Sequence, residues 1–184
     1  MEIKLIRTPL DDDSVSGLRS GDKVLLSGCI YTARDAAHKR FMDALLEGGN
    51  LPIDVKGQVI YYCGPTPSPP GRVIGSAGPT TSSRMDAYAP ALLAMGLRGM
   101  IGKGKRSDEA REAMTRCKGI YFGATGGAGA LLSQSVRAYE VVAYEDLGPE
   151  AVARLTVEDL PLFVINDVVG NDFYEMGLRR YRTA

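Results

Sequence analysis

Short apolar runs alternate along the chain with longer segments in which apolar residues recur every three or four positions. The alternating run 2–9 and the apolar runs 23–31 and 55–65 have the length and pattern of strands. Further strands are predicted in the segments 97–105, 137–148 and 160–170 and at the start of 119–136. Glycine, proline and charged residues separate these runs and mark the turns between them.

The segment 32–49 has the clearest helical period, because Ala37, Phe41 and Leu45 fall on one face. Thr32 and Asp35 have capping-box spacing at its start, and a pair of glycines ends it. Three further helices are predicted. They span 83–96, where Pro90 should kink or split the helix, 107–118, capped by Ser107 or Asp108, and 171–182.

Strands that alternate with helices indicate an α/β fold with a largely parallel sheet and flanking helices. The regions 3–8 and 137–145 have a more two-sided pattern, typical of sheet edges, and favour a second, smaller antiparallel sheet. Neither an internal repeat nor a linker divides the sequence. We therefore expect residues 1–184 to form a single domain.

Composition and charge limit the kinds of partner that we expect this chain to bind. Charged residues make up 24% of the chain and the formal net charge is zero, which weighs against nucleic acid. No apolar run reaches the roughly 18 residues of a membrane span, and the N-terminal residues lack a signal peptide's apolar stretch. These features predict a cytoplasmic protein with no membrane partner. Cys29, Cys63 and Cys117 are odd in number and far apart, which favours small buried thiols over a disulfide framework.

Three predicted strand ends carry a tight polar or glycine turn followed by a cation. They are YTARD with Arg34, GPTTSSR with Thr80, Thr81 and Arg84, and GKGK with Lys103. The carboxyl ends of parallel strands line the ligand crevice of open α/β sheets, and helix N-termini attract anions. The planar fork of arginine matches a carboxylate. Two arginines and a lysine therefore predict a site for a small dianion such as a dicarboxylate.

Other roles for these residues stay open at this point. A first-turn arginine can pair with a neighbouring acid, here Asp35 or Asp86, and hydroxyl clusters often only cap helices. Ser82 or Ser83 can cap the predicted helix, and Ser83 and Asp86 have capping-box spacing, which leaves both threonines for a ligand. His38 falls one helical turn after Arg34, so it either faces the same crevice or makes a structural hydrogen bond.

The glycine loop 123–130, GATGGAGA, fits neither the dinucleotide nor the P-loop pattern. A close strand-to-helix turn that needs small residues is its simpler explanation. Gly126 and Gly127 of this loop are accessory candidates for the site. A stand-alone anion- or phosphate-binding module, built on the loop and the helix N-termini, is the alternative function.

The motifs SGCIYTARDAAHKR, YYCGPTP, GSAGPTTSSRMD, MIGKGK and GATGGAGALL occur in this order. In this order they resemble the C-terminal domain of class I, iron–sulfur-dependent fumarate hydratases and the β subunit of L(+)-tartrate dehydratases, from about residue 15 to 180. The glycine loop departs slightly, since many relatives read GGAAAL. The resemblance implies a swivelling β/β/α-type domain and a hydro-lyase that adds water reversibly to fumarate, tartrate, mesaconate or a similar dicarboxylate.

The resemblance also implies which active-site groups belong to this chain and which belong to another domain or subunit. Arg34, Thr80, Thr81, Arg84 and Lys103 match substrate-binding positions, while the catalytic acid and base are expected mainly from another domain. Family enzymes hold a [4Fe–4S] cluster through three cysteines of that separate domain or α subunit. We therefore expect this chain to be a β subunit of a tricarboxylic-acid-cycle type enzyme that binds no metal itself and acts with a cluster-bearing α subunit.

Overall fold

A computed structural model describes residues 2–182. The strands are β1 (Ile3–Arg7), β2 (Lys23–Thr32), β3 (Val59–Tyr61), β4 (Gly99–Gly102), β5 (Ile120–Gly123), β6 (Val136–Ala143) and β7 (Val152–Asn166). The helices are α1 (Asp12–Ser16), α2 (Asp35–Leu46), α3 (Ala89–Ala94), α4 (Asp108–Cys117), α5 (Gly129–Leu132) and α6 (Phe173–Tyr181). Short 3-10 segments cover Ser82–Met85, Ser133–Ser135 and Glu145–Glu150, the last of which is interrupted at Gly148.

The parallel part of the sheet follows the chain order. Strands β2, β3, β4 and β5 pair as parallel neighbours, and β1 lies parallel to the first half of β2. Helices α2, α3 and α4 lie between successive strands of this set, as the crossover connections of parallel strands in an α/β fold require. The prediction of an α/β fold with flanking helices is confirmed.

The antiparallel strands belong to the same sheet. β7 pairs antiparallel with β5 over its last residues and with β2 along most of its length, so the sheet closes into a barrel. β6 pairs antiparallel with β7. The predicted separate antiparallel sheet of a swivelling domain is therefore wrong for residues 2–182. Its physical cause is the 15-residue length of β7, which lets one strand reach both sides of the parallel set.

Both faces of the central strands are buried. One face, with Val59, Ile101 and Phe122, packs against apolar side chains of β2 and β7 inside the barrel. The opposite face, with Ile60 and Tyr121, packs against α2, α3 and α4. This two-sided burial explains why the central strands are continuous apolar runs.

Several helix ends differ from their predicted form. The Thr32–Asp35 capping box is wrong, because α2 begins without a side-chain cap and the Thr32 hydroxyl accepts from the Ala153 N–H instead. The predicted helix 83–96 is split, with a 3-10 turn followed by α3, in which Pro90 occupies the first turn. The Ser107 cap of α4 is confirmed, since its hydroxyl accepts from the Ala110 N–H.

A short helix, α1, lies in a segment predicted to be a loop. The Asp11 carboxylate caps it by accepting from the Ser14 N–H, and the helix buries Val15. Strand β7 begins eight residues before its predicted start at residue 160. Among residues 2–182, no helix has the length and apolar character needed to cross a membrane.

Candidate active site

The candidate residues meet where the parallel strands end. Arg34 follows β2 by two residues, Lys103 follows β4 directly, and the glycine loop follows β5. Since neighbouring parallel strands present their carboxyl ends at one edge of a sheet, these three turns share one crevice.

Main-chain hydrogen bonds attach the two threonines to this edge. The Thr80 N–H donates to the Tyr62 carbonyl at 2.7 Å, just beyond β3. The Thr80 carbonyl then accepts from the Lys103 N–H at 3.2 Å, and the Lys103 carbonyl accepts from the Ser82 N–H at 2.9 Å. Thr81 thus lies beside Lys103 in a short parallel bridge. The structure brings the threonine and lysine motifs, 23 residues apart in sequence, into direct contact.

Asp35 joins the two candidate arginines. Its Oδ1 accepts from Arg84 Nε at 2.7 Å, and its Oδ2 lies 2.7 Å from Arg84 Nη2. The same Oδ2 lies 4.0 Å from Arg34 Nε. Arg84 thus pairs with Asp35 and not with its own neighbour in sequence, Asp86, which pairs with Arg106. Arg84 Nη1 lies outside this ion pair, on a side chain that is half exposed.

A second carboxylate, that of Glu150, holds Arg34. Glu150 Oε2 accepts from the Ala36 N–H at 2.9 Å, and Oε1 lies 3.5 Å from Arg34 Nη2. The guanidinium also lies against bare backbone, because a Cβ on Gly64 would approach Arg34 Nη1 to 2.7 Å. Sequence reasoning missed Glu150, since no local pattern links the 3-10 segment Glu145–Glu150 to the start of α2.

Lys103 is exposed and, unlike the two arginines, forms no ion pair with a carboxylate of residues 2–182. Its side chain runs along Gly126, where an added Cβ would lie 3.5 Å from Lys103 Cδ. Gly127 has a φ of +80° and open space beside it. Counting the three cations against Asp35 and Glu150, the crevice keeps one positive charge in excess and can attract an anion.

The glycine loop is a close-packed turn. A Cβ on Gly129 would lie 2.3 Å from Ser76 Oγ and 2.8 Å from the Gly78 nitrogen, so this position requires glycine. The helix that follows, α5, has four residues and no side-chain cap. Such a short helix has little dipole to offer a phosphate. The geometry therefore favours the simpler explanation of this loop.

His38 is fully buried in the core and lies outside the crevice. Its Nδ1 is 2.9 Å from the Arg34 carbonyl, and its ring packs against Phe41, Tyr62 and Tyr88 with centroids 5.4 to 5.8 Å apart. Burial lowers the pKa of His38 to about 4. The imidazole is therefore neutral near pH 7 and donates through Nδ1, which makes it a structural support for the backbone of Arg34.

Ser82 and Ser83 of the GPTTSSR motif do not cap a helix. The 3-10 turn begins at Ser82 without a side-chain cap, and Ser82 Oγ instead lies 2.8 Å from the Tyr121 hydroxyl. The Ser83–Asp86 capping box is also wrong, because the Asp86 carboxylate accepts from Arg106 Nε and the Ser107 N–H.

The cysteines of this chain do not fit an iron–sulfur cluster. Cys29 lies in β2, Cys63 just after β3, and Cys117 at the end of α4. Burial raises the pKa of Cys63 to about 12, so it stays a neutral thiol. Across residues 2–182, no group of three or more His, Cys, Asp or Glu side chains is arranged to hold a metal ion.

These features define an α/β protein with a cationic crevice at its parallel strand ends. The sequence matches the Fumarase C-terminus family over residues 1–177, and the chain belongs to that family. It is 41% identical over 155 residues to "Fumarate hydratase class I, aerobic" of Escherichia coli (strain K12), covering 83% of this chain and 28% of the relative. "Fumarate hydratase 2" of Leishmania major is 36% identical over 177 residues, covering 94% and 31%.

A relative of similar length comes from Methanocaldococcus jannaschii and is provisionally named L(+)-tartrate dehydratase subunit beta. It is 37% identical over 172 residues, which cover 90% of this chain and 88% of the relative. The chain thus spans less than a third of the E. coli relative but nearly all of one named as a subunit. The homologues are hydro-lyases by name.

Proposed function

We propose that this chain is the dicarboxylate-binding β subunit of a hydro-lyase that reversibly hydrates fumarate to malate, or acts on a similar diacid. One observation carries the proposal: Asp35 lies between Arg34 and Arg84, and Thr81 bridges to Lys103, at the edge where the parallel strands end. Membership of the fumarase C-terminus family supports it.

In this proposal, each cation contributes a separate contact to a bound dianion. Lys103 forms no ion pair within residues 2–182 and can approach one carboxylate directly. Asp35 orients the Arg84 guanidinium, and Arg84 Nη1, which lies outside that ion pair, can donate to the substrate. The main chain of Thr80 and Thr81 lies beside Lys103, and in this proposal their hydroxyls bond to oxygens of the substrate.

The chemical contribution of these residues is charge stabilisation. Removing a proton from the carbon beside a carboxylate shifts negative charge onto that carboxylate. Fixed cations there stabilise the transition state more than the ground state, and only this difference raises the rate. Because Asp35 accepts a hydrogen bond from Arg84, this guanidinium needs little reorganisation during the reaction.

The proposal assigns the remaining groups to a partner. A [4Fe–4S] cluster and most of the acid–base chemistry would belong to an α subunit, because the cysteines here do not fit a cluster. The relative named as a subunit beta is consistent with a two-chain enzyme. A cytoplasmic location remains a prediction.

Reconstitution tests the split-enzyme proposal. The purified chain is combined anaerobically with a cluster-bearing partner, and hydration is assayed against fumarate, tartrate and mesaconate. We expect no activity from this chain alone and activity on at least one diacid from the complex. Hydratase activity of the purified chain by itself would contradict the division into two subunits.

Arg84→Ala in the active complex tests the crevice. Loss of one preorganised donor to developing charge typically lowers kcat by about 10²–10³-fold, and we expect a loss of this order in kcat/KM. Arg84→Lys should recover part of it, since lysine keeps the charge but loses the planar fork. Arg40→Ala is the matched control, because Arg40 lies in α2, pairs with the exposed carboxylate of Asp146 and is not a candidate site residue. Unchanged kcat/KM in Arg84→Ala would remove Arg84 from the site.

The alternative, a stand-alone phosphate-binding module, is tested by calorimetry on the isolated chain with a nucleotide. The four-residue length of α5 and the tight packing of Gly129 lead us to expect no measurable heat. Saturable nucleotide binding would favour the module instead.

A further inference from the structure

A buried charge lies directly behind the crevice, and the function proposed above does not use it. The Arg106 side chain has no exposed surface and donates through Nε to Asp86, which is itself almost buried. Its guanidinium lies between two tyrosine rings, 5.6 Å from the centroid of Tyr62 and 5.1 Å from that of Tyr121. Moving an ion pair out of water is costly, so a fully buried pair calls for a role beyond stability.

This ion pair joins the two segments that carry the candidate residues. Asp86 ends the 3-10 turn that follows Thr80 and Thr81 and contains Arg84. Its second carboxylate oxygen accepts from the Ser107 N–H at 2.6 Å, at the start of α4 and shortly after Lys103. One carboxylate therefore fixes the far ends of both segments.

The hydroxyl of Tyr121 joins the same two segments closer to the crevice. It donates to the Gly104 carbonyl at 2.9 Å, next to Lys103. It also lies 2.8 Å from Ser82 Oγ, next to Thr81. A phenol has one proton, so Ser82 donates to Tyr121 and Tyr121 donates to Gly104. The chain of hydrogen bonds thus runs from the threonine motif to the lysine motif.

The surroundings of this bridge leave it little freedom. Ser82 and Tyr121 have no exposed surface. A Cβ on Gly102 would lie 2.0 Å from Ser82 Oγ, so the glycine of the GKG turn is what admits the serine hydroxyl. Buried networks whose hydrogen-bonding groups are satisfied rigidify the segments that they join.

We propose that Tyr121 is a positioning residue: its hydroxyl, backed by the Arg106–Asp86 ion pair, reinforces the main-chain hydrogen bonds that hold Thr80–Thr81 against Lys103. The inference rests on the proposed function, because it assigns these groups to one substrate. Arg106, Asp86 and Tyr121 touch no substrate themselves. They act by fixing the main chain of the two segments that carry the substrate-binding side chains.

Tyr121→Phe is the direct test in the reconstituted complex, because it removes one hydroxyl and keeps the ring over Arg106. Displacing a positioned group by a fraction of an ångström raises the barrier more than it weakens binding, so we expect kcat to fall about tenfold and KM to change less. Tyr62→Phe is the matched control: its ring also lies over Arg106, it is equally buried, and its hydroxyl has no hydrogen-bond partner within residues 2–182. An equal loss in both variants would overturn the proposal.

Ser82→Ala and the double variant Ser82→Ala/Tyr121→Phe locate the effect. If both residues act through one bridge, the double variant should be no slower than the slower single variant, because their effects are then not additive. Multiplied losses would show independent effects and would overturn the bridge. Arg106→Ala is a poor substitute, since it strands a buried carboxylate and endangers folding.

Amide hydrogen exchange on this chain separates the inference from the proposed function. In Tyr121→Phe, exchange should rise at residues 80–82 and 103–105 and stay unchanged in β2 and β7. Wild-type exchange at both segments, or a uniform rise across the chain, would overturn the positioning role whatever the activity. An inactive wild-type complex with the expected local rise would instead refute the proposed function and leave the bridge intact.

Discussion

At the residue scale, the carboxylate of Asp35 lies between the guanidinium groups of the two candidate arginines and influences the orientation of both. A cation at a helix N-terminus costs about 0.3–1 kcal/mol, and Asp35 in the first turn of α2 offsets that cost for Arg34. Its contact with Arg84 is half exposed, and such pairs contribute little to stability. The ion pair therefore orients Arg84 more than it stabilises the fold.

The burial of His38 makes stability depend on pH. Its folded-state pKa of about 4 lies below the ordinary value of 6.5, so unfolded chains gain a proton that the folded chain excludes. The unfolding free energy should therefore fall as the pH drops from 6.5 to 4, by about 3 kcal/mol from this group.

Urea unfolding at several pH values measures this dependence in the wild type and in His38→Asn. Carboxylates also lose stabilising interactions in acid, so the difference between the two curves isolates the histidine. We expect a flatter curve for His38→Asn. Parallel curves for the two proteins would show that His38 does not carry the dependence.

At the element scale, close backbone packing shapes the glycine loop. The Ala77 N–H donates to the Gly129 carbonyl at 3.0 Å, which holds α5 against the segment that leads to Thr80. The glycine loop thus packs against the segment that leads to the threonine motif, and it places Gly126 beside Lys103.

Gly129→Ala should destabilise the protein by roughly 1–3 kcal/mol, because its Cβ would meet the Gly78 backbone, which has no flexible side chain to move aside. Gly126→Ala is the matched control from the same loop. Its Cβ would be in ordinary contact with Lys103 and would meet no backbone. Thermal unfolding compares the two, and equal melting temperatures for both variants and the wild type would contradict the packing argument.

At the scale of the whole molecule, β2 and β7 are the strands on which the barrel closes. β2 pairs with β7 along one edge and with β1 and then β3 along the other. β7 likewise pairs with β6 and then β5 along its second edge. Detaching either strand from the sheet therefore breaks pairing along both of its edges and exposes the core.

Native-state hydrogen exchange tests this closure. Amides in the ladder shared by β2 and β7 should exchange only through global unfolding, whereas β1 and β6 should open at lower free energy, because each pairs along one edge only. Exchange of β7 through a smaller opening, with β2 still protected, would show that the barrel does not unfold as one unit.

Local periodicity and motif spacing predicted the α/β class, helix α2, the Ser107 cap and the edge character of 3–8 and 137–145. These features depend on neighbouring residues, so the sequence alone determines them. The order of the motifs likewise indicated the family, which the comparison confirms. The roles of the candidate site residues remain predictions.

Only the tertiary structure decided the features that depend on distant partners. Glu150 meets Arg34 across more than one hundred residues, Ser82 bonds to Tyr121 in place of capping a helix, and Asp86 pairs with Arg106. Barrel closure through β7 is of the same kind. A side chain selects among several possible partners by their distance in the folded chain, and no local pattern contains that distance.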